Sequence, residues 1–352
     1  MKRTLSFIAL VFAVAVSGCT PPNKNFTGGK LDFKAQRYEK AKGQFAQALE
    51  TEPQNPEIHL FMGRTLIEMK DFTGARGAFD QAIELGGEPY AGKVTAAVDP
   101  KYVELFKDGK TYADADKLDK AVESMSKAAL LDPSRFDAHH ALGVIQAKRD
   151  EFGAAEASLE RAAEIKPEDR DVLFSLGVVQ YNATKYEGAI LTFKKILELS
   201  PGELSALENL ARCYQLSEQY DEMIPVYKQI INADPSSSDA HYNYGVALVN
   251  AGRIEEAATE LETVRELTPD DNEALLTLCR LYRDASMWDK AIAGLEIYVG
   301  AVPDDPAGYT EQARVYTAMA DALAAEGSNA EANRLRTKAL DALTIAGDKS
   351  GG

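Results

Sequence analysis

Small and apolar residues recur along the chain with a strict period of 34 residues. Each period ends in proline, at Pro133, Pro167, Pro201, Pro235, Pro269 and Pro303. A mostly glycine column holds Gly109, Gly143, Gly177, Ala211, Gly245 and Cys279, and a mostly alanine column holds Ala121, Ala155, Ala189, Met223, Ala257 and Ala291. A large apolar column holds Met125, Leu159, Phe193, Tyr227, Leu261 and Leu295. This spacing predicts two helices in each period, the second of which ends at the proline because proline cannot donate a helical hydrogen bond.

The residue types explain how such helices pack. A small residue midway along the first helix lets the second helix approach closely, and the alanine of the second helix lies at the same crossing. The large apolar residue fills space toward the next repeat. A single helix pair leaves an apolar face exposed, and stacking of neighbouring pairs buries that face. The pattern therefore predicts an all-α array of stacked helix pairs.

In its period, small-residue pair, large apolar position and terminal proline, the chain resembles the tetratricopeptide repeat (TPR) family. The resemblance implies an all-α, right-handed superhelical solenoid of helix-turn-helix repeats. Six repeats span 102–135, 136–169, 170–203, 204–237, 238–271 and 272–305. Two more are registered upstream at 22–55 and 56–89 by Gly29, Ala41, Phe45, Gly63, Ala75 and Phe79.

Two segments depart from the repeat pattern. Residues 90–101 form an insertion between the second and third repeats, and the sequence allows a longer helix, a loop or a partner contact there. After the eighth repeat the pattern loosens, and residues 306–346 are expected to form two capping helices, because a terminal repeat needs a solvent-compatible face. We expect the tail, residues 347–352, to be disordered.

The N-terminus has the features of a processing signal. Lys2 and Arg3 precede an apolar run that is too short to span a bilayer, and Val16-Ser17-Gly18-Cys19 resembles a bacterial lipobox. The resemblance implies a signal peptide over 1–18, lipid attachment at Cys19, a short linker over 19–21 and, since Thr20 follows the cysteine, a place in the outer membrane facing the periplasm. An ordinary secretory signal peptide is the alternative. Several acyl chains, such as palmitate, would give stable anchoring where a single chain would not.

Charge and motif content narrow the chemistry. The formal net charge of −16 argues against nucleic acid as a partner. We find no catalytic motif, and we expect no cofactor, no metal site and no small-molecule substrate. Cys213 and Cys279 lie in apolar helical faces two repeats apart, which is too far for a disulfide. His59, His139 and His241 share one column, where we expect a packing or capping role because repeat-spaced residues diverge rather than converge on a metal.

In the TPR family the first helices of the repeats form a concave wall, and the resemblance implies that this wall is the binding surface. Position five of the repeats is mostly apolar, and position nine holds the basic residues Lys30, Arg64, Lys110, Arg212 and Arg280. These columns suggest a groove for an acidic or carboxylate-bearing segment flanked by apolar side chains. The alternative is that position five packs on the second helix and the basic residues only pair with nearby acids. The candidate partner-binding residues are Phe106, Phe174, Tyr181, Asn209, Arg212, Tyr242, Asn243 and Arg280.

These features favour a membrane-anchored protein interaction scaffold of the bacterial envelope, acting in secretion, pilus or outer-membrane assembly. An accessory tether subunit of a polysaccharide or peptidoglycan enzyme complex is the alternative. An enzyme with an unrecognised site is disfavoured, because no set of titratable residues is expected to converge from different elements.

Overall fold

The computed structural model describes residues 23–350, and within that range it contains eighteen α-helices and no strand. The first nine helices are α1 (Lys24–Lys34), α2 (Tyr38–Thr51), α3 (Pro56–Glu68), α4 (Phe72–Gly86), α5 (Glu88–Asp114), α6 (Leu118–Leu131), α7 (Phe136–Ala147), α8 (Phe152–Ile165) and α9 (Arg170–Asn182). The other nine are α10 (Tyr186–Leu199), α11 (Leu204–Leu216), α12 (Tyr220–Ala233), α13 (Ser238–Asn250), α14 (Ile254–Leu267), α15 (Asn272–Asp284), α16 (Trp288–Ala301), α17 (Pro306–Ala325) and α18 (Asn329–Ser350). The expected all-α helical repeat solenoid is confirmed. The signal peptide over 1–18, Cys19 and the linker over 19–21 lie outside the described residues.

The chain divides into two compact units. The first unit reaches Leu142 and the second begins at Gly143, so the division falls within α7. In the first unit, α1 packs with α2, α3 with α4, and α5 with α6. In the second unit, α9 to α18 form five successive pairs that follow α8. Each helix pair from α9 to α16 corresponds to one 34-residue period of the sequence.

The insertion at 90–101 lies inside a long helix. Helix α5 runs through the insertion and continues as the first helix of the third repeat, with Pro100 in its interior. Val94 and Val98 are buried in the core of the first unit together with residues of α3 and α4. Full burial of a valine is worth about 1.5–3 kcal/mol, so the two valines offset the roughly 3 kcal/mol cost of an interior proline.

The two helices of a repeat are joined by a turn with one residue in the left-handed region. That residue is Gln36, Lys70, Asp116, Asp150, Thr184, Glu218, Gly252 or Ser286 in the eight repeats. At the end of α9 the amide of Thr184 donates to the Tyr181 carbonyl at 2.9 Å, and the amide of Lys185 donates to the Gln180 carbonyl at 2.9 Å. This pair of bonds satisfies carbonyls that the helix end would leave free. Only one of the eight positions is glycine, so the turn is held by these bonds rather than by residue preference.

First helices begin with a polar cap two residues after the repeat's proline or at the matching position. Their side chains accept hydrogen bonds from backbone N–H groups of the first turn at Asn23, Asn55, Asp169, Ser237, Asp271 and Asp305. Such caps stabilise a helix by about 1 kcal/mol each.

The glycine column is explained by close packing within a repeat. A Cβ added at Gly63 would lie 2.5 Å from Cε1 of Phe79, and one added at Gly177 would lie 2.8 Å from Cζ of Phe193. The large apolar side chain therefore lies over the glycine of its own repeat. We expected this side chain to fill space toward the next repeat, and the contact with its own glycine is an additional one. The alanine column is fully buried in each repeat where it holds alanine, as at Ala75 and Ala189.

The C-terminal end corrects one expectation. Residues 306–346 form the helix pair α17 and α18, but α18 continues through Ser350, so the expected disorder from Gly347 is wrong for 347–350. Ala346 is buried, and Lys349 Nζ lies 2.6 Å from a carboxylate oxygen of Asp304. These contacts hold the last turn against the preceding repeat, while residues 351–352 lie outside the described range.

Candidate functional site

The basic residues at position nine of the repeats lie on the first helices and are mostly free of acidic partners. Arg64 on α3, Lys110 on α5 and Arg212 on α11 are exposed. Within residues 23–350, neither these three nor Lys30 has a carboxylate within ion-pair distance. Four of the five basic side chains of the column are therefore available to a ligand. This result disfavours the alternative that they merely pair with nearby acids.

Arg280 is the exception, because it belongs to an ion cluster around a buried carboxylate. Glu311 on α17 is only 1% exposed, and its carboxylate oxygens face three arginines. Arg280 Nε lies 3.7 Å away, Arg314 Nη1 lies 3.1 Å away, and Arg283 forms the closest pair. A buried carboxylate is stable only when charges and hydrogen bonds compensate it. Arg280 therefore contributes to the attachment of α17 to α15, and its charge is partly compensated within the protein.

Arg64 and Lys30 rest on aromatic rings. The guanidinium carbon of Arg64 lies 5.2 Å from the ring centres of both Phe33 and Phe61, and Lys30 Nζ lies 4.2 Å from the ring centre of Phe26. Phe61 also makes ring contacts with Phe26 at 5.7 Å and with Phe33 at 6.2 Å. Cation–π contacts hold the charge in place while leaving the edge N–H donors open.

Sequence reasoning missed the role of Phe33 and Phe61. The signal that could have found them is the i, i+3 and i, i+4 spacing of an aromatic residue and a cation on one helix, which is present in Phe61–Arg64 and Phe26–Lys30.

The apolar column at position five divides into buried and half-buried members. Phe26, Leu60 and Leu276 are buried, whereas Phe106, Phe174 and Tyr242 are half-buried. Phe106 stacks on Tyr102 with ring centres 5.9 Å apart, and Phe174 packs edge-on against Phe193 of the second helix at 5.9 Å. Position five therefore contributes to the repeat interior, as the alternative interpretation expected, and only part of each ring faces solvent.

The remaining candidates also have intramolecular contacts. Tyr181 is half-buried, and its ring centre lies 5.9 Å from that of Tyr186. The Asn209 amide donates to the Ser205 carbonyl of its own helix at 2.8 Å, and Asn243 on α13 is half-buried. The Asn209 bond uses one of the two amide donors, so its carbonyl oxygen and second N–H remain for a ligand.

The histidine column has a structural role. His59 Nε2 lies 2.9 Å from the carbonyl of Pro53, and His241 Nε2 lies 3.2 Å from the carbonyl of Pro235. The Tyr309 hydroxyl occupies the same column and donates to the Pro303 carbonyl at 3.3 Å. A polar side chain six residues after the proline thus bonds the carbonyl where the preceding helix pair ends. This geometry is a capping interaction at His59 and His241.

Residues 23–350 hold no group of three or more His, Cys, Asp or Glu side chains arranged to bind a metal ion. Cys213 and Cys279 are free and fully buried, and burial raises the pKa of their thiols to about 11 and about 12. A buried thiol with a raised pKa is a poor nucleophile at neutral pH. In the same range, no helix combines the length and apolar character needed to cross a bilayer.

Comparison with protein-family models identifies repeats in the same part of the chain. Family models described as tetratricopeptide repeat match residues 32–98, 106–170, 147–203, 215–275 and 247–306. No curated protein matches the sequence significantly.

Solved structures similar to this chain include YrrB, described as a TPR protein with an unusual peptide-binding site. It is 23% identical, with 56% of this chain and 96% of YrrB covered and a TM-score of 0.45. A TPR protein from Parabacteroides merdae is 17% identical over 70% of this chain and 99% of its own, with a TM-score of 0.46. MamA from Desulfovibrio magneticus RS-1 is 18% identical over 48% and 95%, with a TM-score of 0.42. Since the family models together match well over half of its length, this chain belongs to the tetratricopeptide repeat family.

Proposed function

We propose that this protein is a membrane-anchored scaffold of the bacterial cell envelope whose first helices bind a peptide or a protein partner. TPR repeats indicate a protein–protein interaction scaffold, and proteins of this family are typically non-catalytic. The observation that carries the proposal is the set of four position-nine cations, Lys30, Arg64, Lys110 and Arg212, which have no carboxylate partner within residues 23–350. In a chain of net charge −16, unpaired cations at equivalent positions of the first helices favour a partner segment with acidic groups.

Half-buried aromatic rings are a second property of the first helices. Phe106, Phe174 and Tyr242 each expose part of a ring on the first helices. Aromatic and arginine side chains are the residues that most often dominate binding energy at protein interfaces. A partner segment that alternates acidic and apolar side chains would match both features.

The anchor and the location are supported by the N-terminal sequence. The run Val16-Ser17-Gly18-Cys19 resembles a lipobox, and we propose that Cys19 carries the lipid that places the protein in the outer membrane, facing the periplasm. The partner would then be a protein of secretion, pilus or outer-membrane assembly. The Cys19→Ser variant should leave the membrane fraction, and its continued retention there would rule out this anchor.

Crosslinking in cells tests the scaffold function. Arg212→Glu should abolish capture of the crosslinked partner, because it replaces an exposed cation on α11 with an anion. Lys228→Glu is the matched control, since Lys228 is exposed on α12, the second helix of the same repeat. Capture that survives Arg212→Glu, with both variants folded, would contradict the proposed binding face. Capture of polysaccharide-synthesis enzymes would replace the assembly role with that of a tether subunit.

A further inference from the structure

The insertion helix forms one wall of a cleft in the first unit. Phe33 of α1 and Arg64 of α3 lie on one side, and Ala96, Pro100 and Lys101 of α5 lie on the other. We call this space of about 430 Å³ the insertion cleft. Without residues 90–101 the cleft would have no second wall, so it is particular to this chain rather than to the repeat.

Pro100 removes one backbone donor beside the insertion cleft. In an uninterrupted helix the amide of residue 100 would donate to the carbonyl of Ala96, but proline has no N–H. Both Ala96 and Pro100 are exposed and line the cleft. The Ala96 carbonyl thus lacks the amide that would normally bond it in a helix, and because both residues line the cleft we take this carbonyl as the acceptor for a ligand N–H.

Arg64 supplies the opposite kind of group across the cleft. Its guanidinium rests on Phe33 and Phe61 at 5.2 Å from each ring centre, and no carboxylate within residues 23–350 pairs with it. Held this way, its N–H fork can bind a carboxylate in a charge-assisted pair. By contrast, Lys101 on the facing wall is already paired with Glu104 at 2.6 Å.

We infer that the insertion cleft binds an extended segment of a partner protein, with an acidic side chain on Arg64, a backbone N–H on the Ala96 carbonyl and an apolar side chain against Phe33. This inference rests on the proposed scaffold function and names the site where the segment binds. A peptide supplies a carboxylate, an N–H donor and an apolar group at short spacing. A free phosphate would supply only the anion and could make neither of the other two contacts.

Two substitutions test the two halves of the site. Arg64→Gln removes the cation and should weaken binding of an acidic, apolar peptide about 10-fold or more, the range expected for a charge-assisted hydrogen bond. Pro100→Ala restores the amide donor, which occupies the Ala96 carbonyl, and should weaken binding about 2- to 10-fold. Because it also repairs the helix, Pro100→Ala should raise the unfolding temperature. Binding and stability thus move in opposite directions, which a purely structural role of Pro100 would not produce.

Matched controls separate the site from general charge and from proline itself. Lys93→Gln removes an exposed cation from the insertion, where Lys93 Nζ lies 4.0 Å from the ring centre of Tyr90 and outside the lining of the insertion cleft. Pro89→Ala changes a proline in the first turn of α5, where no helical acceptor depends on its N–H. Both variants should bind as the unsubstituted protein does.

The experiment uses the full chain and fluorescence anisotropy of labelled peptides with a central Asp-Phe, Asn-Phe or Lys-Phe pair, with inorganic phosphate as a competitor. Preference for Asp-Phe that is reduced by Arg64→Gln and by Pro100→Ala, but not by the two controls, supports the inference. Unreduced affinity in either cleft variant overturns it, as does equal loss in Lys93→Gln or displacement of the peptide by phosphate alone. If Arg64→Gln lowers the unfolding temperature, Arg64→Lys, which keeps the charge but not the fork, should give intermediate affinity.

The outcomes also separate this inference from the proposed function. Peptide binding that survives the cleft variants but is lost in Arg212→Glu would move the ligand to the second unit and leave the scaffold function standing. Partner crosslinking in cells together with no binding of any of these peptides would overturn only the cleft.

Discussion

Two glycines of the second repeat should respond in opposite ways to the same substitution. Gly63 lies within α3, where a Cβ would come 2.5 Å from Cε1 and 2.6 Å from Cδ1 of Phe79. Phe79 is fully buried, so its ring cannot move aside without disturbing the core. Gly77 lies within α4, and a Cβ there would meet no atom within 4 Å.

The magnitudes follow from two competing effects. Alanine is about 1 kcal/mol more favourable than glycine in a helix interior, so Gly77→Ala should raise the free energy of unfolding by about 1 kcal/mol. The same gain applies at Gly63, but overpacking a core costs about 1–3 kcal/mol. Contacts below 3.0 Å to three atoms of one rigid ring place the cost at the upper end of that range. Gly63→Ala should therefore lower the free energy of unfolding by about 2 kcal/mol.

Hydrogen exchange of the amides in α3 and α4 is the assay that suits this fold. Repeat arrays can open one segment at a time, so a single global unfolding midpoint could miss a local change. Exchange in both helices should become faster in Gly63→Ala and slower in Gly77→Ala. Adding Phe79→Leu to Gly63→Ala should recover part of the lost protection, because the smaller side chain makes room for the new methyl group. Equal effects of the two glycine substitutions would refute the packing explanation of the glycine column.

Three further predictions concern the second unit. Thr184 has φ +59°, which is strained for a β-branched residue. Thr184→Gly should therefore raise the free energy of unfolding in urea by about 1 kcal/mol. Gly252→Ala at φ +75° should lower that free energy by a similar amount. Glu311→Gln leaves three arginines without their shared counter-charge and should cost about 3 kcal/mol, seen as faster exchange in α17; unchanged exchange would contradict the ion cluster. The Cys213 and Cys279 thiols, whose pKa values burial raises to about 11 and about 12, should resist thiol reagents until the unit unfolds. Because the folded state holds these protons, their contribution to stability should be intact below the pKa of about 8.5 of an unfolded cysteine and be lost as pH rises toward 12.

Residue spacing was enough to predict the repeat register. A small residue facing the large apolar side chain, as Gly63 faces Phe79 and Gly177 faces Phe193, is a steric requirement of the repeat, so it leaves a column in the sequence that can be counted. The cap residues and the terminal prolines repeat for the same reason. Features that depend on a single contact do not recur every 34 residues, so the sequence alone could not predict them.

Helix α5 is such a feature. Asp99-Pro100 has the form of a helix start, and nothing local shows that a helix continues through it. The helix continues because Val94 and Val98 find a place in the core beside α3 and α4, which is information about tertiary packing. For the same reason the insertion cleft, with the Ala96 carbonyl at its surface, could not be predicted from the sequence.

The position-nine cations show why a column is weaker evidence for a binding site than for a fold. The repeat register places Arg64, Arg212 and Arg280 at equivalent positions, yet their surroundings differ. Arg280 faces Glu311, a residue from outside the eight repeats, and Arg64 rests on two rings, whereas Arg212 is exposed without a carboxylate partner in the range 23–350. Charge reversal at Arg280 would therefore test the attachment of α17, because it would place a second carboxylate beside a buried one. Among these three arginines, reversal at Arg64 or Arg212 tests binding directly, whereas a loss of partner capture at Arg280 would carry no information about the groove unless the fold of α17 were shown to be intact.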